Sequence, residues 1–191
     1  RRPDADALDD RIHSFPLTIS SHRISELFSI MPGDGNPAAY DQETTIPYYY
    51  STRFRSLGIV TEFTATERCG YFRFTFPSGS ASLVLANRIA GTMLLRDGNI
   101  IEGEEQFNNM KAYVYGEFSA PVVSTPSSID GKQRLSISAK TSTLELRYGI
   151  SFISVEQAKK NLQHEIPSSG FEAIKAAART RWNETLGRIS V

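Results

Sequence analysis

Several residues of the 191-residue chain carry side chains that could do chemistry, beginning with its one cysteine. A cysteine acts as a nucleophile when a base and an orienting group stand beside it. Cys69, however, lies at the end of a predicted strand between Arg68 and Gly70. That setting is typical of a half-buried small residue, so the sequence favours a structural role for Cys69 over a catalytic one.

The three histidines are the second group, namely His13, His22 and His164. No two of them stand at the spacing of metal ligands, and with a single cysteine a zinc site would have to be assembled from distant parts of the chain. His22 is of most interest, because it lies in a polar stretch beside Arg23 where a side chain could face a ligand. A surface histidine is the simpler interpretation.

The acidic residues do not predict an acid–base pair. Glu104 and Glu105 are adjacent on a predicted strand, so their side chains point to opposite faces. The segment Asp34-Gly35-Asn36 is similar to the start of a calcium loop, but counting on from Asp34 places Ala38 and Thr45 at ligand positions. This excludes an EF-hand and favours a turn. The residues alone therefore indicate no self-contained catalytic site.

Composition limits the possible partners. The 21 Lys and Arg residues balance 21 Asp and Glu residues, and a neutral chain without a basic stripe argues against nucleic acid and against an anionic membrane surface. No stretch approaches the ~18 apolar residues that a membrane helix needs. The length predicts one domain or two small ones. Because the chain opens on Arg1 without a leader pattern, we expect either a removed leader or excision from a longer protein.

Alternating apolar and polar residues predict a mainly β fold, an antiparallel β-sandwich of about eight to ten strands over residues 1–153. Residues 59–66 and 71–76 alternate clearly and predict a hairpin that turns at Cys69-Gly70. Asp97-Gly98 suits a type I′ turn, in which both central residues have positive φ. Residues 32–47 contain three prolines and two glycines and predict a loop.

The pattern changes at Ser154, and residues 154–191 predict a helical hairpin. A capping box from Ser154 to Gln157 predicts a helix that ends near Glu165. A second box from Ser169 to Glu172 predicts another helix, one face of which carries Phe171, Ile174, Ala178 and Trp182.

Two blocks of residues carry a family resemblance. The first is Tyr148–Ala158 (YGISFISVEQA), followed by Asn161-Leu162, Glu165-Ile166, Phe171, Ala177-Ala178, Trp182-Asn183 and Leu186. The second is Glu62–Thr66, followed by Arg68, Gly70 and Arg73–Pro77. Both resemble glycoside hydrolase family 92, a family of exo-acting α-mannosidases. With weaker agreement at Tyr115–Pro121 and Thr18–Pro32, the resemblance touches most of the chain from about residue 11 onward.

The resemblance implies a supersandwich-like N-terminal domain, joined by residues 154–191 to an (α/α)6 catalytic barrel that would follow Val191. In this family the reaction inverts the anomeric centre, Ca²⁺ assists at the sugar hydroxyls, and both catalytic carboxylates lie on the barrel. In an inverting enzyme the catalytic acid and base stand about 6.5–9.5 Å apart. The sequence predicts no such pair, which agrees with catalytic carboxylates that lie on the barrel. The resemblance implies no catalytic and no metal-ligating residue in this chain, with Ca²⁺ bound mainly outside it.

Two substrate-binding residues are carried over from the resemblance, His22 and Arg23, which we expect to face the sugar at the domain interface. The chain departs from the family here, because Ile19–Ser21 interrupts the usual Thr-His pair between Thr18 and His22. Only about ten unpatterned residues precede the matching segment, where family members carry a glycine-rich stretch. The expected partners are the catalytic barrel and mannose-containing glycans, the expected linkage is α-1,2, and the expected location is secreted or periplasmic.

Other functions stay open on the sequence alone. A freestanding carbohydrate-binding sandwich could stack the run Tyr48–Tyr50 on sugar rings, although a cluster that covers the core is the simpler interpretation of that run. A protein-interaction domain is a third possibility. The family 92 hypothesis further predicts an exposed apolar patch for barrel docking around Phe171, Ile174 and Trp182.

Overall fold

The structure, a computed structural model, describes residues 10–19, 26–89, 91–129 and 131–188. Within these residues fourteen strands precede two helices. The strands are β1 (Arg11–Ile12), β2 (Phe15–Ile19), β3 (Glu26–Pro32), β4 (Ala38–Ile46), β5 (Tyr49–Phe54), β6 (Val60–Ala65), β7 (Cys69–Thr75), β8 (Ala81–Asn87), β9 (Thr92–Arg96), β10 (Ile100–Phe107), β11 (Met110–Phe118), β12 (Val123–Ile129), β13 (Lys132–Ala139) and β14 (Thr143–Ser151). The helices are α1 (Val155–Glu165) and α2 (Phe171–Leu186).

The strands form two antiparallel sheets that pack face to face. The larger sheet has nine strands in the order β1-β4-β5-β6-β7-β14-β11-β10-β9, and the smaller has five in the order β12-β13-β8-β3-β2. The predicted antiparallel β-sandwich followed by two helices is therefore confirmed. β7 and β14 lie at the centre of the larger sheet, whereas β2 forms one edge of the smaller sheet.

The central strands are covered on both faces. Phe72 and Phe74 of β7 and Leu146 of β14 point into the core between the sheets, where each is at most 2% exposed. Cys69 and Tyr71 of β7 belong to a second apolar cluster, which includes residues of both helices. This covering on both faces explains why β7 is buried along almost its whole length.

The Asp97-Gly98 turn is confirmed. Both residues have positive φ, 49° and 76°, and the turn joins β9 to β10. Gly98 meets the geometric demand of this turn at no steric cost.

Three sequence predictions about the strands are wrong. Residues 32–47 do not form one loop, because Ala38–Ile46 pairs as β4 with both β1 and β5. The prolines flank this strand and do not interrupt it. A register shift between Asp41 and Thr44 breaks the alternation of inward- and outward-facing residues along it. Cys69-Gly70 is not a turn but the start of β7, and the turn lies at Thr66–Arg68. The described strands also outnumber the eight to ten predicted.

The helices pack on the outer face of the larger sheet. The predicted cap of α1 is confirmed, since the Ser154 hydroxyl accepts a hydrogen bond from the Gln157 N–H at 3.1 Å. The predicted box of α2 is wrong, because Gly170 is the N-cap residue and no side chain caps that helix. No helix within the described residues is long and apolar enough to cross a membrane.

The predicted exposed apolar patch on α2 is also wrong. Phe171 and Ile174 are 2% and 6% exposed because they pack against the sheet, and only Trp182 of the three is exposed, at 42%. Large apolar side chains are exposed instead at Phe152 and Ile153, just before α1.

Candidate functional site

An arginine on β7 fastens α2 to the larger sheet. Arg73 donates from Nε and Nη2 to the carboxylate of Glu62 at 2.6 and 2.8 Å, and its Nη2 also donates to Glu172 Oε1 at 2.6 Å. The guanidinium lies 4.3 Å from the ring centroid of Phe171. Burial raises the pKa of Glu62, but hydrogen bonds from Arg73 and Tyr49 outweigh it and hold that pKa below its ordinary value.

We expect Arg73→Met to lower the free energy of unfolding by about 2–3 kcal/mol, because the partly buried Glu62 loses its bidentate partner. Glu172 is 65% exposed, so Glu172→Gln is the matched control and should cost under about 1 kcal/mol. Urea unfolding measures both variants. Equal losses in the two variants would show that the pair of Arg73 with the partly buried Glu62 stabilises the fold no more than its pair with the exposed Glu172.

A second polar network joins the β6–β7 turn to the end of α1. Glu165 Oε2 accepts hydrogen bonds from the Thr66 hydroxyl at 2.5 Å and the Arg68 N–H at 3.0 Å, while its Oε1 lies 2.7 Å from Arg68 Nε. Burial raises the pKa of Glu165, but these donors outweigh burial and lower it overall. Glu67 of the same turn pairs with Arg181 of α2, so the turn is bound to both helices.

A cleft of about 720 Å³ opens beside this turn. Its walls come from β2, from the β6–β7 turn, from the segment after β14 and from the start of α1. Polar groups are supplied by Arg68, Gln157 and Asn161, and the exposed Phe152 and Ile153 lie at its rim. Two smaller clefts of about 450 and 280 Å³ share the turn residues Thr66 and Glu67 with it.

The amides of the cleft are held in place by α1. Gln157 Nε2 donates to Asn161 Oδ1 at 3.0 Å, and Asn161 Nδ2 donates to the Ile150 carbonyl at 2.8 Å. Because each amide is oriented by a neighbour, the pair presents fixed rather than mobile polar groups. Fixed polar groups in a partly apolar cleft are typical of a small-molecule or glycan contact surface.

The predicted site residues His22 and Arg23 lie outside the described residues, so their roles stay predictions. Cys69 is 5% exposed and lines the cleft, and burial raises the pKa of its thiol to about 12. In this buried position the thiol carries very little thiolate, the nucleophilic form, at neutral pH, which agrees with the structural role favoured by the sequence. His164 lines the cleft of about 280 Å³.

The structure confirms the opposite orientation of Glu104 and Glu105 and the turn at Asp34. Glu104 pairs with Lys111 at 2.6 Å on the surface, whereas Glu105 is 0% exposed. Asp34 accepts hydrogen bonds from the N–H and side-chain amide of Asn36, which confirms the turn and lowers the pKa of Asp34. Within the described ranges, no group of three or more His, Cys, Asp or Glu side chains could hold a metal ion.

The tyrosine run does not form a row of free rings. Tyr49 packs edge-on against Phe171 and has the Lys175 ammonium 3.7 Å from its ring centroid, while Tyr50 packs against Phe15.

The polar residues of the turn and cleft were not predicted from the sequence. The available signal was that Glu165 belongs to the first of the two resembling blocks and Arg68 to the second.

Two family models match the chain. The model described as the glycosyl hydrolase family 92 N-terminal domain matches residues 7–166, and the one described as the family 92 catalytic domain matches residues 157–191. The two matches overlap in α1, so the catalytic-domain match begins inside a helix that is packed on the sandwich.

Similar proteins of known structure are much longer. A family 92 inverting mannosidase from Bacteroides thetaiotaomicron is 25% identical with a TM-score of 0.77, and the match covers 85% of this chain and 27% of that one. An α-mannosidase of the same family and organism, solved with mannoimidazole, has a TM-score of 0.82 at 19% identity over 100% of this chain and 32% of that one. A protein named as an uncharacterized secreted glycosidase, from Arthroderma benhamiae, is 47% identical over 47 residues, 24% of this chain and 6% of that protein.

Proposed function

Because the chain belongs to glycosyl hydrolase family 92, we propose that it is the N-terminal domain of a calcium-dependent, inverting exo-α-mannosidase that prefers α-1,2 linkages. The continuation of the family match from residues 7–166 into the catalytic-domain match at 157–191 carries this proposal. The chain spans 27% and 32% of the two solved structures compared above. The chemistry is therefore assigned to a catalytic barrel that follows residue 191.

The sandwich supports the pocket of that barrel in this proposal. The cleft beside the β6–β7 turn faces the sugar side, because its rim carries exposed apolar side chains next to oriented amides. Family membership supports the assignment of His22 and Arg23, carried over from the resemblance, to sugar contacts. Inversion needs an acid and a base about 6.5–9.5 Å apart around a water, and both are assigned to the barrel.

Calcium belongs to the barrel in this proposal. The residues described offer no cluster of three acidic, histidine or cysteine side chains, so they do not fit a metal site. Secretion or export is proposed as well, supported by the name of the short match from Arthroderma benhamiae, an uncharacterized secreted glycosidase.

The test compares the 191-residue chain with the longer protein that continues into the catalytic domain. With Ca²⁺ present, we expect the longer protein to hydrolyse an aryl α-mannoside with release of β-mannose, and the 191-residue chain to release nothing. NMR of the first-formed anomer measures both activity and inversion. Hydrolysis by the chain alone, or none by the longer protein, would contradict the proposal.

Calcium dependence and linkage have their own arms in that experiment. A chelator should abolish hydrolysis by the longer protein, and added Ca²⁺ should restore it. Among mannobioses, the α-1,2 disaccharide should be cleaved fastest. Activity that survives the chelator would remove calcium from the proposal without affecting the rest.

A further inference from the structure

One edge strand of the sandwich is held by an unusual contact between the two sheets. Among the described strands β2 pairs with β3 alone, and its register shifts twice, between Pro16 and Thr18 and between Thr18 and Ile19. Leu17 consequently has no partner residue on β3. A bulge of this kind bends an edge strand and weakens its attachment to the sheet.

The bulged residue is bound by a tyrosine of the opposite sheet. The hydroxyl of Tyr148, on β14, donates to the Leu17 carbonyl at 3.1 Å, and both residues are buried. Tyr148 is 2% exposed, and burial raises the pKa of its hydroxyl, which therefore keeps the proton that it donates. The bond closes the gap that the bulge leaves in the ladder.

The tyrosine ring is in turn placed by a glycine. A Cβ atom on Gly70 of β7 would lie 2.5 Å from Cζ and from the hydroxyl oxygen of Tyr148, so only glycine leaves room for the ring in this position. Tyr148 also stacks on Phe72, with ring centroids 6.1 Å apart and planes 15° apart. The ring is thus confined on two sides and its hydroxyl points at one carbonyl.

The bond between Tyr148 and Leu17 lies at the wall of the 720 Å³ cleft. Leu17, Thr18, Cys69 and Tyr148 line it together. We propose that Tyr148 is a positioning residue, whose hydroxyl holds the bulged strand β2 as one wall of this cleft and so sets the width available to a mannose ring of the substrate. This role rests on the proposed function. Tyr148 itself would not contact the sugar.

The first test uses the single cysteine of the chain as a reporter. Cys69 lies at the base of the cleft and is nearly buried, so its modification by iodoacetamide requires β2 or its surroundings to open. In the 191-residue chain, we expect Tyr148→Phe to raise the modification rate about tenfold, since the bulge loses its buried bond. Gly70→Ala should raise it as well, because the added Cβ displaces the ring.

A matched control is available on the same strand pair. Tyr71→Phe also removes a hydrogen-bonded hydroxyl from a buried tyrosine, but that hydroxyl binds Glu145 on the outer face. We expect the Cys69 modification rate of this variant to equal that of the wild type. A rate unchanged in Tyr148→Phe, or raised equally in the control, overturns the proposal.

The second test measures substrate handling in the longer protein. Tyr148→Phe should raise KM for an aryl α-mannoside about fivefold while kcat changes less than about twofold, because the wall contacts ground and transition states alike. Tyr71→Phe should leave both constants unchanged. Faster Cys69 modification without a change in KM overturns the proposal, because the wall would then not serve the substrate. If the wild type hydrolyses no mannoside, the proposed function fails, and Cys69 modification still decides whether Tyr148 holds the wall.

Discussion

Replacing Glu105 with alanine is expected to lower the free energy of unfolding of the chain by about 3–5 kcal/mol. Glu105 is 0% exposed and lies on β10 of the larger sheet. Its Oε2 accepts from the N–H groups of Arg88 and Ile89 at 3.1 and 3.0 Å and from Asn87 Nδ2 at 3.3 Å, and its Oε1 accepts from the Gln106 N–H at 2.8 Å. Asn87 is the last residue of β8, and Arg88 and Ile89 follow it directly, so the carboxylate ties the smaller sheet to the larger one.

The neighbouring glutamate is the matched control. Glu104 lies one position away on the same strand, with a side chain that is 41% exposed and paired with the exposed Lys111. Glu104→Ala should therefore cost less than about 1 kcal/mol. Glu105→Gln keeps one acceptor oxygen and should fall between the two alanine variants. Urea unfolding of the three variants measures these differences, and similar losses at 104 and 105 would show that the buried acceptor is not important for stability.

The fold was largely predictable because its signals are local. Strict alternation in residues 59–66 and 71–76 predicted β6 and β7, and the Asp97-Gly98 turn needed only two residues with positive φ. β4 was missed because a register shift interrupts its alternation and its second half is exposed on both faces. At such a strand neighbouring strands outweigh the local proline and glycine content.

The candidate site was much less predictable. Arg68 and Glu165 are 97 residues apart in sequence, and nothing local indicates that the β6–β7 turn meets the end of α1. Of the face predicted for α2, Phe171, Ile174 and Ala178 are buried, whereas Trp182 is exposed. The partner of that face was not predicted, since an apolar stripe does not tell whether it will cover its own sheet or another domain. The expectation of an exposed patch at Phe171 and Ile174 failed for this reason.

The helices are more closely integrated with the sandwich than a linker requires. The segment assigned to the catalytic-domain match, residues 157–191, includes Leu162, Phe171 and Ile174, which share one apolar cluster with Cys69 and Tyr71 of the sheet. A displacement of the start of the catalytic domain would therefore displace β7 and β14 as well. The division into a sandwich of residues 1–153 and a linker of residues 154–191 stays a prediction.

Replacing Gly149 with alanine tests that integration, and we expect it to lower the free energy of unfolding by about 3 kcal/mol. A Cβ atom at Gly149 of β14 would lie 2.3 Å from the Ala158 carbonyl oxygen and 3.0 Å from the Leu162 nitrogen, both backbone atoms of α1. Backbone atoms cannot rotate away as a flexible side chain does, so the whole helix must shift. In the longer protein kcat/KM should fall at least about tenfold, because that shift moves the start of the catalytic domain.

Gly170 provides the control for this substitution. A Cβ atom there would meet nothing within 4 Å, and the residue is the N-cap of α2, where serine is also favoured. Gly170→Ser should therefore leave stability and kcat/KM nearly unchanged. Urea unfolding and mannoside hydrolysis measure both variants. If Gly149→Ala keeps full activity while losing stability, then α1 can shift without moving the catalytic domain, and residues 154–191 would act as a compliant linker after all.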